Sequence, residues 1–368
     1  MAQRNHPGWM ESLYDKLAND QDGRVCEAIS DQACREAPGN FFRTAVANTL
    51  TSIGDRMASA KTTLPWLLSH LAAPAWCISL LVPIRESGSM LPQLAIGALV
   101  RQQPIRKWVW SAGSSAMLVG AGLAWFSQTE QSVVFAIILF GGAALWFVAA
   151  AVYATIVEFP GETGGGINGL QESFNKLALL WKDPPFCKFV IARALAMGSG
   201  LAAPFYVTLA REDLGHAAAY LGVFIAVEGL AALVSAPVWG YFSDRSSRLV
   251  FASACGLASL LSLAVAIWSL SDLAPGLSRW FYPVAFFGLG IAHAGVRLGR
   301  KTYLVDLAEG NRRTDYVAVS NTVIGALLLA SGLIGAAAAA FSVEAAILLL
   351  AIAGLIGSAL SLTWKAVS

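Results

Sequence analysis

Long apolar runs without a charged residue are the feature that most limits what this chain can fold into. Several approach 20 residues, the length that an α-helix needs to cross about 30 Å of hydrocarbon. Only 13% of the residues are charged, whereas soluble domains carry about 25%. Backbone groups in lipid must pair within their own segment, and the sequence shows no alternation typical of a membrane barrel. The sequence therefore predicts an all-α polytopic membrane protein.

About ten transmembrane helices account for these runs, four in a first half and six in a second half. Lys and Arg residues are enriched in short connections on the cytoplasmic side, which fixes the orientation of the spans. With the N-terminus inside, the outer connections hold only Arg85, Arg211 and Arg279, and all other connecting Lys and Arg residues fall inside. The predicted spans are residues 63–84, 86–104, 107–127, 132–157, 188–210, 216–239, 249–270, 279–297, 316–340 and 343–364.

The remaining polar stretches divide the chain further. Apolar residues recur at steps of three and four between Phe42 and Met57, so the first segment is expected to form amphipathic helices on the membrane surface. A second repeat between Ile167 and Trp181 predicts a surface helix in a linker, and Pro184 is expected to end it. The four predicted parts are a cytoplasmic N-terminal segment, an N-terminal membrane half, a cytoplasmic linker and a C-terminal membrane half, at residues 1–62, 63–157, 158–187 and 188–368.

A loop motif lies between two spans of the second half. It reads GYFSDRSSRLV, residues 240–250, with a glycine, an Asp-Arg pair and a further arginine before the next span. The glycine, Gly240, is expected to allow close helix packing. Asp244 can meet a helix N-terminus or an arginine, and Arg245 and Arg248 can anchor the inner face.

A second copy of this motif follows the second span of the first half. It reads GALVRQQPIRKWVW, residues 97–110, and has Gly97, Arg106 and Lys107 at the matching offsets. Arg101 stands where the other copy has its aspartate. Two such copies at equivalent places indicate an internal duplication, which is how many transporters are built.

The two loops and their placement resemble those of the major facilitator superfamily, over residues 63–365. LVPIRESGSMLPQL, residues 81–94, narrows the resemblance to a bacterial permease branch. The resemblance implies a two-half bundle in the bacterial inner membrane, with both termini cytoplasmic, that transports a small solute by alternating access. It also implies that both loops act as conformational latches. Members of the superfamily have twelve spans, so the first half lacks two helices.

Charged residues inside spans are costly, by about 2.5–3.5 kcal/mol each, and they tend to mark transport pathways. Glu228 lies midway along its span with no Lys or Arg within one turn, so it could carry a proton or bond to a neighbouring helix. Arg85 and Glu86 either snorkel from a turn near Pro83 or face a cavity beside Gln93.

Three further residues are weaker candidates. His293 could exchange protons or be packed and neutral. Asn321 could line the solute path or bond between helices. Arg193 lies five residues inside its span, near enough to the end to snorkel.

Other function classes find no support in the sequence. Its net charge is only +2, which argues against nucleic acid as a partner. No zinc-like spacing, nucleophile elbow or dinucleotide loop is present, so we expect no metal, no cofactor and no enzymatic activity. The expected partners are a small solute, the lipid bilayer and protons, and a homo-oligomer could cover surface left by the absent helices. The rival hypothesis is a reduced, non-transporting protein that binds an assembly partner or is inactive.

Overall fold

The computed structural model describes residues 8–18, 30–91, 93, 103–108, 110–111, 133–160, 175–214, 218–243, 245–271, 277–308 and 312–365. Every regular element within these ranges is helical. The described residues leave out most of the predicted spans at 86–104 and 107–127, together with the candidate residues Gly97, Arg101 and Asp244. Within the same ranges, one 3₁₀ turn, Lys176–Ala178, accompanies the α-helices.

The α-helices are α1 Gly8–Ala18, α2 Asp31–Met57, α3 Thr63–His70, α4 Ala75–Met90, α5 Val133–Ala154, α6 Leu179–Lys182, α7 Pro184–Leu195, α8 Gly198–Leu201, α9 Ala203–Leu214, α10 Ala218–Ser243, α11 Ser247–Leu270, α12 Ser278–Leu307, α13 Arg312–Phe341 and α14 Val343–Ser361.

The chain forms two compact units. The first draws on residues 1–58 and 99–167, and the second on residues 59–98 and 168–368. The predicted division into four parts does not coincide with these units and stays a prediction.

In the first unit, α2 packs along α5. Gly54 makes the close approach possible, because a Cβ there would lie 2.5 Å from Cδ1 of Trp146 and 2.7 Å from the carbonyl oxygen of Gly142. At the other end of the pair, the Asn40 side chain donates to the carbonyl of Val157 at 2.7 Å and accepts from its N–H at 3.0 Å. Small residues and one amide therefore hold the two helices along most of their length.

In the second unit, α4 packs along α13, and α11 packs against both α12 and α14. Glycines again mark the close contacts: a Cβ on Gly332 would lie 2.6 Å from Cβ and Cγ of Pro83. Trp364 is only 3% exposed and packs against the rings of Tyr303, Phe251 and Phe189 at centroid distances of 4.4–5.3 Å. Small-residue contacts of this kind are how membrane helices approach each other.

In the described part of the chain, six helices are long and apolar enough to cross a membrane. They correspond in number and position to the six spans predicted for the second half, and their lengths differ at the ends. The first of them is a composite of α7, α8 and α9. These spans are Pro184–Leu214, Tyr220–Ser243, Ser247–Leu270, Ser278–Leu307, Asp315–Phe341 and Val343–Ser361. A shorter apolar helix, Leu139–Ala154, falls within the predicted span at 132–157.

The predicted span at 63–84 is wrong in its continuity. The chain breaks between α3 and α4, where Ala72 has a φ of 54° and Pro74 precedes the next helix. No break occurs at Pro83, which lies inside α4 and packs against a glycine of α13. Proline is tolerated in a membrane helix where neighbouring helices satisfy the freed backbone groups.

The double proline at 184–185 also acts differently from the prediction. Pro184 begins α7 instead of only ending the preceding helix, and the Asp183 side chain accepts from the N–H of Phe186 at 3.2 Å. Proline suits the first helical position because its missing N–H would have no intrahelical partner there. The fifth predicted span therefore starts four residues earlier than expected.

Candidate functional site

Polar side chains meet inside the second unit, where helices of the C-terminal half face residues 59–93. Glu228 lies in α10, away from both helix ends. The Thr62 hydroxyl, fully buried, donates to its Oε2 at 3.3 Å. Lys61 lies within electrostatic range of this carboxylate. No Lys or Arg lies within one helical turn of Glu228, but a cation distant in sequence, Lys61, lies near enough to interact with it electrostatically.

A second polar group connects α7 to α13. Arg193 is only 5% exposed, and its guanidinium donates from Nη1 to the Ser320 hydroxyl at 2.6 Å and from Nη2 to Oδ1 of Asn321 at 2.7 Å. The Asn321 amide in turn donates to Oε1 of Gln93 at 2.7 Å. Arg193 does not snorkel as predicted, because its two hydrogen-bond acceptors lie inside the unit. The structure thus brings two of the predicted candidates, Gln93 and Asn321, into direct contact beside this arginine.

His293 occupies a gap that a glycine leaves open. Its Nδ1 lies 3.2 Å from the Ser199 hydroxyl, and its Cε1 would be 3.0 Å from a Cβ placed on Gly200. This contact joins α12 to α8. Ser199 engages one ring nitrogen, which leaves Nε2 for another partner.

Two arginines continue the same face of α12. Arg297 and Arg300 follow His293 at four and seven residues, a spacing that aligns side chains on one helical face. Arg297 lies in electrostatic range of Lys61, and Arg300 lies in range of Glu86. Residues 293, 297 and 300 therefore form a basic stripe toward the residues that surround Glu228.

Arg85 and Glu86 lie inside α4, in its second half, and not in a turn between spans. The Arg85 side chain is exposed and the Glu86 side chain is half-buried. Glu86 lies in electrostatic range of both Lys61 and Arg300. The turn expected near Pro83 is therefore absent, and a role for Arg85 or Glu86 in a solute path stays a prediction.

The motif at residues 240–250 holds the ends of three helices. Arg248 donates from Nη1 to the carbonyl of Trp364 at 2.8 Å, and Ser247 donates to Oδ2 of Asp306 at 3.3 Å. Arg245 lies over the Tyr241 ring at 4.6 Å and donates to its hydroxyl at 2.5 Å. Gly240 does not allow close packing as predicted, since no atom lies within 4 Å of a Cβ placed on it.

The first-half copy of the motif makes a different set of contacts. The Glu158 carboxylate accepts from the backbone N–H of Arg106 at 2.9 Å and from that of Lys107 at 2.8 Å. The Lys107 ammonium donates to the carbonyls of Ala154 and Ile156 at 3.0 and 2.6 Å. The motif thus closes on the chain that leaves α5.

Replacing Glu158 by glutamine should raise the hydrogen-exchange rates of the Arg106 and Lys107 amides about tenfold. Bonds from an N–H to a charged acceptor are roughly twice as strong as bonds to a neutral one. Hydrogen exchange read by mass spectrometry on peptides covering residues 103–111 measures the change. Amides in the middle of α5 serve as the internal control. Equal exchange in both variants would show that the carboxylate does not hold this loop.

The sequence missed several of the residues that form this site. In the sequence, Lys61 lies just outside the first predicted span, and Arg297 and Arg300 lie at an inner connection. Arg193 lies near enough to the end of its span to snorkel, and Ser199 and Ser320 carry no charge that would single them out. The only available signal was the spacing of His293, Arg297 and Arg300 on one helical face.

Comparison with known proteins identifies the C-terminal part of the chain. Residues 189–368 match the family model of the Major Facilitator Superfamily. The matched region begins inside α7 and includes every helix from α8 to α14. No curated protein matches the chain. The protein is thus a multi-pass helical membrane protein whose second half matches a superfamily of secondary transporters, which are typically not enzymes.

Proposed function

We propose, from this match over residues 189–368, that the protein is a secondary transporter that moves a small solute across the membrane by alternating access. The observation that carries the proposal is the polar site inside the second unit. Ionisable residues inside membrane bundles are costly and mostly serve substrate or ion pathways. Here Glu228 and Arg193 each have specific hydrogen-bond partners from other helices or segments.

Protons are the proposed coupling ion and Glu228 the proposed coupling group. As a carboxylate it accepts from Thr62 and attracts Lys61. When protonated it loses that attraction and gains an O–H that needs an acceptor. Uptake of a proton would therefore weaken the tie between α10 and the segment around residue 62. Such a change between two arrangements is what alternating access requires.

The remaining parts of the proposal rest on the resemblance. The protein is proposed to lie in the bacterial inner membrane with both termini cytoplasmic, and the two motif loops are proposed to be latches at the inner face. The contacts of Arg248 with the carbonyl after α14 and of Lys107 with carbonyls after α5 support a latch, because each ties a loop to a helix end.

The test is proton movement in proteoliposomes that contain the full chain. A panel of solutes is added under an imposed pH gradient, and internal pH is followed by fluorescence. We expect at least one solute to drive proton flux, and we expect Glu228→Gln to lower that flux at least tenfold, since the amide cannot exchange a proton. Glu212→Gln, which neutralises an exposed carboxylate in α9, is the matched control and should keep the flux.

Two results would count against the proposal. Equal flux in Glu228→Gln and wild type would remove Glu228 from the coupling path. No solute-driven flux at all, from protein shown to be folded by its circular dichroism and a cooperative thermal transition, would favour the non-transporting hypothesis.

A further inference from the structure

We propose that the solute is an anion whose carboxylate or phosphate group binds at Lys61 and the basic stripe His293, Arg297 and Arg300. This inference rests on the proposed function and names the substrate class of the same site. It follows from the balance of charges inside the second unit, and from the fact that no described residue pairs with Lys61, Arg297 or Arg300.

Cations outnumber carboxylates around this site. Lys61 lies in range of Glu228, Glu86, Arg297 and Arg85. Arg300 adds a further positive charge beside Arg297. Arg85 makes a further interaction of its own and is left out of the balance. The buried Arg193 lies in range of Arg300, so among the described residues four cationic side chains share two carboxylates: Lys61, Arg193, Arg297 and Arg300 against Glu86 and Glu228. Arg193 is buried, Lys61 and Arg300 are half-buried, and Arg297 is exposed on a membrane-spanning helix. A surplus of positive charge within a membrane bundle is expensive unless an anion compensates for it.

Three of these cations make no ion pair or side-chain hydrogen bond to any residue that the structure describes, namely Lys61, Arg297 and Arg300. Arg193, by contrast, has two hydrogen-bond acceptors at 2.6 and 2.7 Å. Among its described residues, the unit thus provides acceptors for Arg193 and none for Arg297 and Arg300. Donors left without acceptors within a membrane bundle are suited to a ligand that supplies the acceptors.

The donor types fit an oxyanion. A guanidinium presents paired N–H groups that match the two oxygens of a carboxylate or phosphate. Lys61 adds a point charge, and His293 has one ring nitrogen outside its contact with Ser199. A cationic solute would meet repulsion from four side chains and attraction from two, so the same site disfavours it.

The test compares three probes of one shape that differ in charge: benzoate, benzyl alcohol and benzylamine, with inorganic phosphate as a fourth. Each is added at constant ionic strength to the full chain in detergent micelles, and the midpoint of thermal unfolding is measured. A ligand that binds the folded state raises this midpoint in proportion to its occupancy. We expect benzoate or phosphate to raise it, and we expect benzyl alcohol and benzylamine to leave it unchanged. A raised midpoint with benzoate but not with phosphate indicates a carboxylate site. A raised midpoint with phosphate but not with benzoate indicates a phosphate site.

Variants then locate the binding. Arg297→Gln should weaken the apparent affinity for the active anion about tenfold. Arg279→Gln removes an exposed arginine from the opposite end of α12 and should leave the affinity unchanged. Equal weakening in both variants would overturn the proposed site, as would a benzylamine shift larger than the anion shifts, or no shift with either anion.

The two proposals can fail separately. Anion binding that depends on Arg297, together with no proton flux for any solute, would retain the anion site and reject transport. Proton flux driven only by neutral or cationic solutes would retain transport and reject the anion.

Discussion

Replacing Asn321 by leucine is expected to destabilise the protein by about 3 kcal/mol, the largest loss among the variants considered. The change leaves Nη2 of Arg193 without its acceptor while the guanidinium stays buried. A buried polar group that loses its partner costs about 1–3 kcal/mol, and more when it is charged. The Gln93 side chain loses its donor at the same time.

Removing the arginine as well should recover part of the loss. Arg193→Met alone leaves only neutral groups without a partner, so it should cost about 1–2 kcal/mol. The double variant Arg193→Met with Asn321→Leu should be more stable than Asn321→Leu alone, because the uncompensated charge is then absent. The measurement is the free energy of unfolding in denaturant titrations of detergent-solubilised protein. Additive losses in the double variant would show that the charge is not what makes the asparagine necessary.

Two alanine substitutions in α13 are expected to have opposite effects. Gly332→Ala should destabilise the protein by about 1–3 kcal/mol, since the new methyl group would lie 2.6 Å from the ring of Pro83. Pro83 is fixed within α4 and cannot rotate away. Gly335→Ala meets no atom within 4 Å, and it should stabilise by up to about 1 kcal/mol through the higher helix propensity of alanine.

The same unfolding measurement tests this pair. Both variants add one methyl group to one helix, three residues apart, so propensity cancels and the difference reports on packing against α4. A loss of similar size at both positions would show that the contact with Pro83 is not the cause. Some other property of α13 would then have to explain why it does not tolerate an added methyl group.

The second half of the fold could be predicted from sequence because its spans differ strongly in hydropathy from the connections between them. The helices that begin at residues 247 and 343 each follow a serine that caps the first turn, after a charged or loop stretch. Hydropathy alone misplaces the ends of these spans, by ten residues in the largest case. Helix α12, for example, continues past Arg297 to Leu307, since helical contacts do not end where charge begins.

The first half was harder because its features depend on packing. Pro83 and the Arg85–Glu86 pair were interpreted as a boundary, as isolated proline and charged residues would favour. Helix α13 has a glycine, Gly332, where it packs against Pro83, so the proline fits inside α4 without a break. For the same reason Glu228 could be selected from its own span, whereas Lys61 and Thr62 could not, because they meet it only after the chain has folded.

The pairing of α4 with α13 has a consequence for biosynthesis. The hydroxyl of Ser87 bonds to the carbonyl of Gly325, and 238 residues separate them in the chain. At about 5–20 residues per second, translation takes roughly 10–50 s to cover that distance. During that interval α4 exists without its partner, and it carries Arg85 and Glu86. Nascent chains that stop before Gly325 should therefore leave α4 more accessible to cysteine-labelling reagents than the finished protein does.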